Sequence, residues 1–181
     1  HPEAQYNLGV IYSKEKYSIF DINKSIYYLS LVANQNHPEA QYNLGLIYSR
    51  DNYSIFDINK SIHYLSLAAN QNHPQAQFFL GIIYSRKEYS VFDINKSIHY
   101  LSLASNQNHP EALFKLGIIY ASVKYSVFDI NKSIYYLSLA ANQNSPDAQY
   151  NLGVIYSKEK YSVFDINKSI HYLSLAANQN H

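Results

Sequence analysis

The heptapeptide Phe20-Asp21-Ile22-Asn23-Lys24-Ser25-Ile26 returns unchanged at Phe56, Phe92, Phe128 and Phe164, at a spacing of 36 residues each time. Self-similarity at this period restricts a chain to stacked supersecondary units, because one such unit cannot bury a core alone and must cover its apolar face with its neighbours. The register lays the whole chain, 1–181, out as a single array of repeats 1–36, 37–72, 73–108, 109–144 and 145–180, with His181 as the first letter of a sixth. Both ends fall at a repeat boundary and the chain does not start with Met, as expected of a piece of a longer array.

Each repeat opens with proline, at positions 2, 38, 74, 110 and 146. Proline suits the first turn of a helix, where its missing N–H would be unpaired anyway. A helix A is predicted from there to about Ser13, with Ala4, Leu8, Ile11 and Tyr12 on one face at three- and four-residue steps; these four letters are identical in all five copies and are read as core. The chain's five glycines, Gly9, Gly45, Gly81, Gly117 and Gly153, fall in the middle of this helix. Glycine costs about 1 kcal/mol there relative to alanine, so its fixed place predicts a second helix crossing at close range. After a connector from Lys14 to Phe20, Asp21 is predicted to cap helix B, running from Ile22 to about Asn34. The broad apolar stripe of helix B fits an element packed on two sides, against its own helix A and against the next repeat. Asn36, Asn72, Asn108 and Asn144 stand where a left-handed residue would end helix B.

The pattern Ala4, Leu8-Gly9, Tyr12, Asp21, Lys24, Ile26, Tyr28 and Ala33-Asn34-Gln35 resembles the Sel1-like repeat, a relative of the tetratricopeptide repeat, in all five units. The resemblance implies an all-α fold, a right-handed α-solenoid of five antiparallel helix-turn-helix repeats, with helix A lining a concave groove and use as a protein-binding scaffold. The chain departs from the family pattern at Glu15 and Tyr17, where the connector usually has glycines, at Ser25, where alanine is usual, and at Asn36, where glycine is usual. The connector is therefore expected to turn differently, folding Tyr17 and Phe20 back onto the stack.

With helix A lining a groove, the positions outside its core stripe form ladders: Glu3, Glu39, Gln75, Glu111, Asp147; Tyr6, Tyr42, Phe78, Phe114, Tyr150; and Asn7, Asn43, Phe79, Lys115, Asn151. A fourth, Lys14, Arg50, Arg86, Ser122, Lys158, lies at the far edge. Acid on one margin, aromatic rings along the floor and base on the other suit a bound peptide or helix. Tyr6, Tyr42, Phe78, Phe79, Phe114, Lys115, Tyr150, Arg50 and Arg86 are the candidate partner-binding residues. Copies three and four vary most, through Phe78, Phe79, Leu113, Phe114, Lys115, Ala121 and Val123, and the binding centre is expected there, against the simpler reading that these rings fill gaps between stacked helices.

Other chemistry finds little support. With no cysteine, a thiolate nucleophile or metal site is excluded. The ladders His37, His73, His109 and His63, His99 place their rings in successive repeats, too far apart for one zinc ion, and are read as helix-start or surface residues. Ser13-Lys14-Glu15-Lys16 and Ser157-Lys158-Glu159-Lys160 match the S-x-x-K pattern of penicillin-recognising enzymes without its companion motifs. No cofactor motif is present, and an enzyme is the least favoured class. Fourteen basic against thirteen acidic residues leave a net charge of +1, so a nucleic-acid partner is disfavoured even though Lys24, Lys60, Lys96, Lys132 and Lys168 form a row. No apolar run reaches the roughly 18 residues of a membrane span. Asn23-Lys24-Ser25, its four copies and Asn52-Tyr53-Ser54 are formal glycosylation sequons; five of them lie in helix B with the serine turned inward, which points to the cytoplasm. The leading expectation is a non-enzymatic scaffold for a protein or peptide partner; single-stranded RNA binding and a structural spacer are the alternatives. An array without polar caps at its ends is also open to end-to-end self-association.

Overall fold

The computed structural model describes residues 1–179. Ten helices follow one another: α1 Pro2–Tyr12, α2 Ile22–Ala33, α3 Pro38–Tyr48, α4 Ile58–Ala69, α5 Pro74–Ser85, α6 Ile94–Ser105, α7 Pro110–Ala121, α8 Ile130–Asn142, α9 Pro146–Tyr156 and α10 Ile166–Asn178. No strand occurs among the described residues. The odd-numbered helices are helix A of successive repeats and the even-numbered ones helix B, so the chain is an all-α solenoid of helical hairpins. It divides into two compact units, His1–Asp93 with α1 to α5 and Ile94–His181 with α6 to α10.

The helix boundaries follow from the punctuating residues. Proline occupies the first turn of every helix A. The carboxylates of Asp21, Asp57, Asp129 and Asp165 accept from backbone N–H groups in the first turn of α2, α4, α8 and α10, which satisfies donors that the helix itself leaves free. Asn36, Asn72, Asn108 and Asn144 adopt φ values of 65°, 61°, 59° and 62°, the left-handed conformation expected of them. They are the positive-φ residues of the described chain, so each connector between helix A and helix B turns without one. It does so through successive tight turns, Tyr17 N–H to Lys14 O and Phe20 N–H to Tyr17 O, closed by Asp21 N–H donating to Tyr12 O.

The hairpin is set by the glycine crossing. A Cβ built on Gly9 would lie 2.6 Å from Leu29 Cγ, and one on Gly45 or Gly117 2.5 Å from the Cγ of Leu65 or Leu137. These leucines are completely buried. Behind the crossing, Ser25 Oγ donates to Gly9 O at 2.8 Å, and Ser61 and Ser169 repeat the bond on Gly45 and Gly153. Alanine here would lose this cross-helix bond. Ser133 is equally buried but makes no such bond. The buried serine of every copy is also the serine of its sequon, turned into the stack as expected.

The core lies between repeats. In the first unit Leu29, Val32 and Ala33 of α2 close on Ala40, Leu44 and Ile47 of α3. In the second, Leu137, Ala140 and Ala141 of α8 close on Ala148, Leu152, Ile155 and Tyr156 of α9. Each buried leucine contributes about 2 kcal/mol by removal from water. The apolar stripe of helix A thus faces the helix B before it, and one expectation needs correction. In α1, Ala4, Leu8 and Ile11 are exposed, although the same letters are buried in α3 and α9.

Two amide ladders were not foreseen. Gln41 and Gln77 are 2% and 1% exposed, and their Nε2 groups donate to Ala33 O and Ala69 O of the preceding helix B, both at 3.2 Å. Gln71 Nε2 donates to Gln41 Oε1 at 2.8 Å, and Gln179 Nε2 to Gln149 Oε1 at 2.9 Å.

Two outcomes follow. Gly45→Ala gains helix propensity of about 1 kcal/mol but drives a methyl into confined Leu65, so a net loss of about 1 to 2 kcal/mol is expected in chemical denaturation. Gly153→Ala should cost less, because its partner Leu173 is 36% exposed and can yield outward. The second concerns helix starts. His73 Nδ1 accepts from Ala76 N–H at 3.2 Å, a bond open only to the neutral ring. Burial holds the His73 pKa below its ordinary value, with Glu39 opposing. The folded state therefore binds fewer protons than the unfolded one, and the cap's stability is present above the usual histidine value near 6.5 and lost as pH falls below it. Thermal unfolding between pH 7.5 and 5 should show this loss, and His73→Ser, with the hydroxyl cap that Ser145 already provides, should reduce it.

Candidate functional site

The residues that hold the stack leave the outward side of helix A and the connector free to meet a ligand. In the first unit the aromatic ladder is continuous with the repeat contacts. Tyr6 stacks on His37 with ring centroids 5.1 Å apart, and Tyr42 on His73 at 4.7 Å. Phe79 lies 5.9 Å from Tyr42 and 5.5 Å, edge to face, from Phe78. All four rings are half-buried. They are therefore fixed in place by the fold, each keeping a part of its surface in solvent, and burial raises the Tyr42 hydroxyl pKa above its ordinary value.

Asn43 joins this row to a polar hollow. Its Nδ2 donates to Tyr6 Oη at 3.2 Å, and with Lys14, Lys16, Arg50 and Asn52 it lines an open depression between α1, α3 and the first two connectors. Arg50 Nη1 donates to Tyr53 Oη at 2.8 Å and lies 3.5 Å from Glu15 Oε1, while Tyr53 Oη donates to the same carboxylate. The guanidinium is thereby held over the Tyr53 ring, 5.4 Å from its centroid. Arg86 repeats the arrangement with Tyr89, at 3.0 Å to the hydroxyl and 5.5 Å to the ring. The connector tyrosine is what positions these two bases, and Phe20 and Phe56 rest against Tyr53 and Tyr89 at 6.2 and 6.3 Å. Of the two connector aromatics expected to fold onto the stack, Phe20 does so by packing on Tyr53 of the next connector, whereas Tyr17 stays 40% exposed.

In the second unit the candidates separate. Phe114 packs on the α8–α9 core while also lining a small hollow with Glu111, Gln143 and Asp147. Tyr150 is 56% exposed and Lys115 is exposed. Tyr150 and Asp147 line a further hollow with Leu173. Base and aromatic meet in the first unit, and acid and aromatic in the second. Leu113, counted among the variable residues of a binding centre, is instead core: it is 2% exposed and replaces the glutamine of the amide ladder. Gln143 Nε2 consequently donates to Asn108 O at 3.4 Å, in place of the amide that Gln71 and Gln179 find. The sequence signal for those glutamines was their recurrence at one helical position, Gln5, Gln41, Gln77 and Gln149, with an apolar residue as the sole exception.

The lysines of helix B offer much less free charge. Lys24, Lys60, Lys132 and Lys168 each lie 3.7 to 3.9 Å from the capping aspartate of their own helix. Each also lies 5.2 to 5.3 Å from the ring of the tyrosine that ends helix A. Among the described residues no group of three or more histidines and carboxylates could hold a metal ion, and no helix is long and apolar enough to cross a membrane.

Comparison with known proteins agrees with this geometry. The Sel1 repeat model matches five times, over residues 2–37, 38–73, 74–109, 110–145 and 146–181. A crystal structure of a Sel1 repeat protein from Oxalobacter formigenes is similar over 99% of this chain and 74% of its own, with 26% identity and a TM-score of 0.78. A Sel1 repeat protein from Klebsiella pneumoniae shares the fold with a TM-score of 0.60 at 19% identity, over 98% of this chain and 86% of its own. An immunity protein from Pseudomonas aeruginosa does so at 0.51 and 19%, over 99% and 81%. No curated protein matches the chain significantly in sequence. Five consecutive matches along a solenoid of helical hairpins place the chain in the Sel1 repeat family.

Proposed function

We propose that this chain is a non-catalytic scaffold that holds an extended peptide of a partner protein against the outward side of helix A in the first unit. Sel1 repeat proteins are generally protein-interaction scaffolds. The observation that carries the reading is the polar hollow of Lys14, Lys16, Arg50, Asn43 and Asn52, in which Glu15 is paired with Arg50 and Tyr53, joined through Asn43 to the half-buried Tyr6, Tyr42, Phe78 and Phe79 row. Three cations and two amides beside fixed aromatic rings suit a peptide that carries a carboxylate next to an apolar side chain. The amides can pair with the peptide backbone, the bases with the carboxylate, and the rings with the apolar residue. Arg86 continues the basic edge, while in the second unit Phe114 and Tyr150 line hollows with the acids Glu111 and Asp147, and Lys115 stands exposed. The pairing of the helix B lysines with their capping aspartates weighs against the RNA-binding alternative.

The test is selection of binding peptides from a random displayed library, followed by titration of one of them against variants. Enriched peptides are expected to share an acidic group beside an apolar residue. Arg50→Ala should weaken binding about tenfold, roughly 1.4 kcal/mol, with circular dichroism unchanged because the side chain is on the surface. Asn23→Ala, on the exposed side of helix B, should have no effect. Unchanged affinity for Arg50→Ala would place the peptide elsewhere.

A further inference from the structure

At the repeat boundaries of the first unit, the aromatic residue of helix A has a second ring to rest on. Tyr6 stacks on His37 and Tyr42 on His73, at 5.1 and 4.7 Å between centroids, and each histidine is the residue that caps the next helix A. In the second unit the same two positions, between α7 and α9, hold Phe114 and Ser145. Serine keeps one of the histidine's two tasks: its Oγ accepts from Ala148 N–H at 3.3 Å, as His37 Nδ1 accepts from Ala40 N–H. The other task lapses, because a hydroxymethyl group offers no ring.

A partly enclosed hollow of about 280 Å³ lies beside Phe114, bounded by Pro110 and Glu111 of α7, Gln143 at the end of α8, and Ser145 and Asp147 at the start of α9. Its place in the repeat is the one that a histidine ring takes in the first unit. The lining selects the occupant. Two carboxylates, Glu111 and Asp147, edge the hollow, and no base is among the described residues that line it. Glu111 Oε2 lies 3.2 Å from His109 Nδ1. Burial holds the His109 pKa below its ordinary value, with Glu111 opposing, so at neutral pH that imidazole is largely uncharged and leaves the carboxylate its charge.

A flat cation answers all of these features together. Guanidinium is planar and always charged, stacks on aromatic faces and carries its N–H donors in the plane of the group. Its face can rest on Phe114 as imidazole rests on Tyr6 and Tyr42, while its edge meets the two carboxylates. An ammonium lacks the plane, and an apolar side chain leaves both acids without a counter-charge.

We infer that the hollow between Phe114 and Ser145 takes an arginine side chain of a partner peptide, stacked on Phe114 and paired with Glu111 and Asp147. The replacement of histidine by serine at position 145 is what opens the place for it.

Amide shifts of the isotopically labelled chain at neutral pH test this, with the blocked tripeptide acetyl-glycyl-arginyl-glycinamide as the probe. Saturable shifts are expected, centred on Phe114, Ser145 and Asp147. The lysyl tripeptide should bind more weakly and the norleucyl tripeptide should give no saturation. Asp147→Asn should weaken the arginyl peptide about threefold, the scale of an exposed ion pair. Ser145→His, which returns the ring that His37 and His73 supply, should abolish binding with circular dichroism unchanged. Ser145→Ala, which leaves the space open, should bind as the wild type does. Shifts that do not saturate or that centre elsewhere overturn the inference. So does a Ser145→His variant that binds as well as the wild type, and so does a lysyl or norleucyl peptide that matches the arginyl one. Free arginine binding more tightly than the tripeptide would assign the hollow to the amino acid and overturn the peptide as its source. Arg50 and the Tyr6–Tyr42 row take no part in this site, so either result leaves the first-unit surface to its own test.

Discussion

The close crossing of helix A over helix B at glycine is the contact on which the rest depends. Leu29, Leu65 and Leu137 sit where a glycine Cβ would otherwise be, and the spacing this allows brings a serine hydroxyl onto the glycine carbonyl. Were the two helices held further apart, the leucine would lose its confinement and the serine its bond. The hairpin so formed has little interior of its own. Its apolar stripes face outward along the stack, which makes each repeat dependent on the next and puts the core at the boundaries between repeats.

This division of labour separates the surface into two kinds. The inward residues of both helices, the capping aspartate, the left-handed asparagine and the buried glutamine are committed to the stack. The outward side of helix A and the connector remain. There the fold supplies rigid placement at no further cost, because Tyr6 and Tyr42 are stacked on the histidines that start the next helix and Arg50 is held by Tyr53. A surface whose rings and bases are already ordered loses little side-chain entropy on meeting a peptide. The histidine at the helix start has two roles in this arrangement, as an acceptor for the first turn and as a platform for the aromatic row.

Much of the fold was legible because particular letters have one physical use. Proline at a helix start, aspartate before a stripe, asparagine at the left-handed stop and mid-helix glycine each state a local geometry, and the 36-residue period states the assembly. What pattern reading lacked was direction. The stripe of helix A was read as core in all five copies, but in α1 its residues Ala4, Leu8 and Ile11 are exposed. Polarity hid Gln41 and Gln77, which are buried because a main-chain carbonyl awaits them across the boundary. The same blindness put Leu113 among the variable residues around which a binding centre was expected, where its real neighbour is the core. In the aromatic ladder, how far each ring is spent on its neighbour depends on three-dimensional contacts. Tyr42 and Tyr150 hold one sequence position and differ in exposure.

The central claim is that the stack is held by one set of residues and a partner by another, on the helix A side. The most direct test is to map backbone amide shifts in the isotopically labelled chain as a library-selected peptide is titrated in. The account predicts changes centred on Tyr6, Asn43 and Arg50 and continuing to Tyr42 and Phe79, with Asp21, Lys24 and Tyr27 on the helix B side unmoved. Changes centred on Asp21, Lys24 and Tyr27 would contradict it.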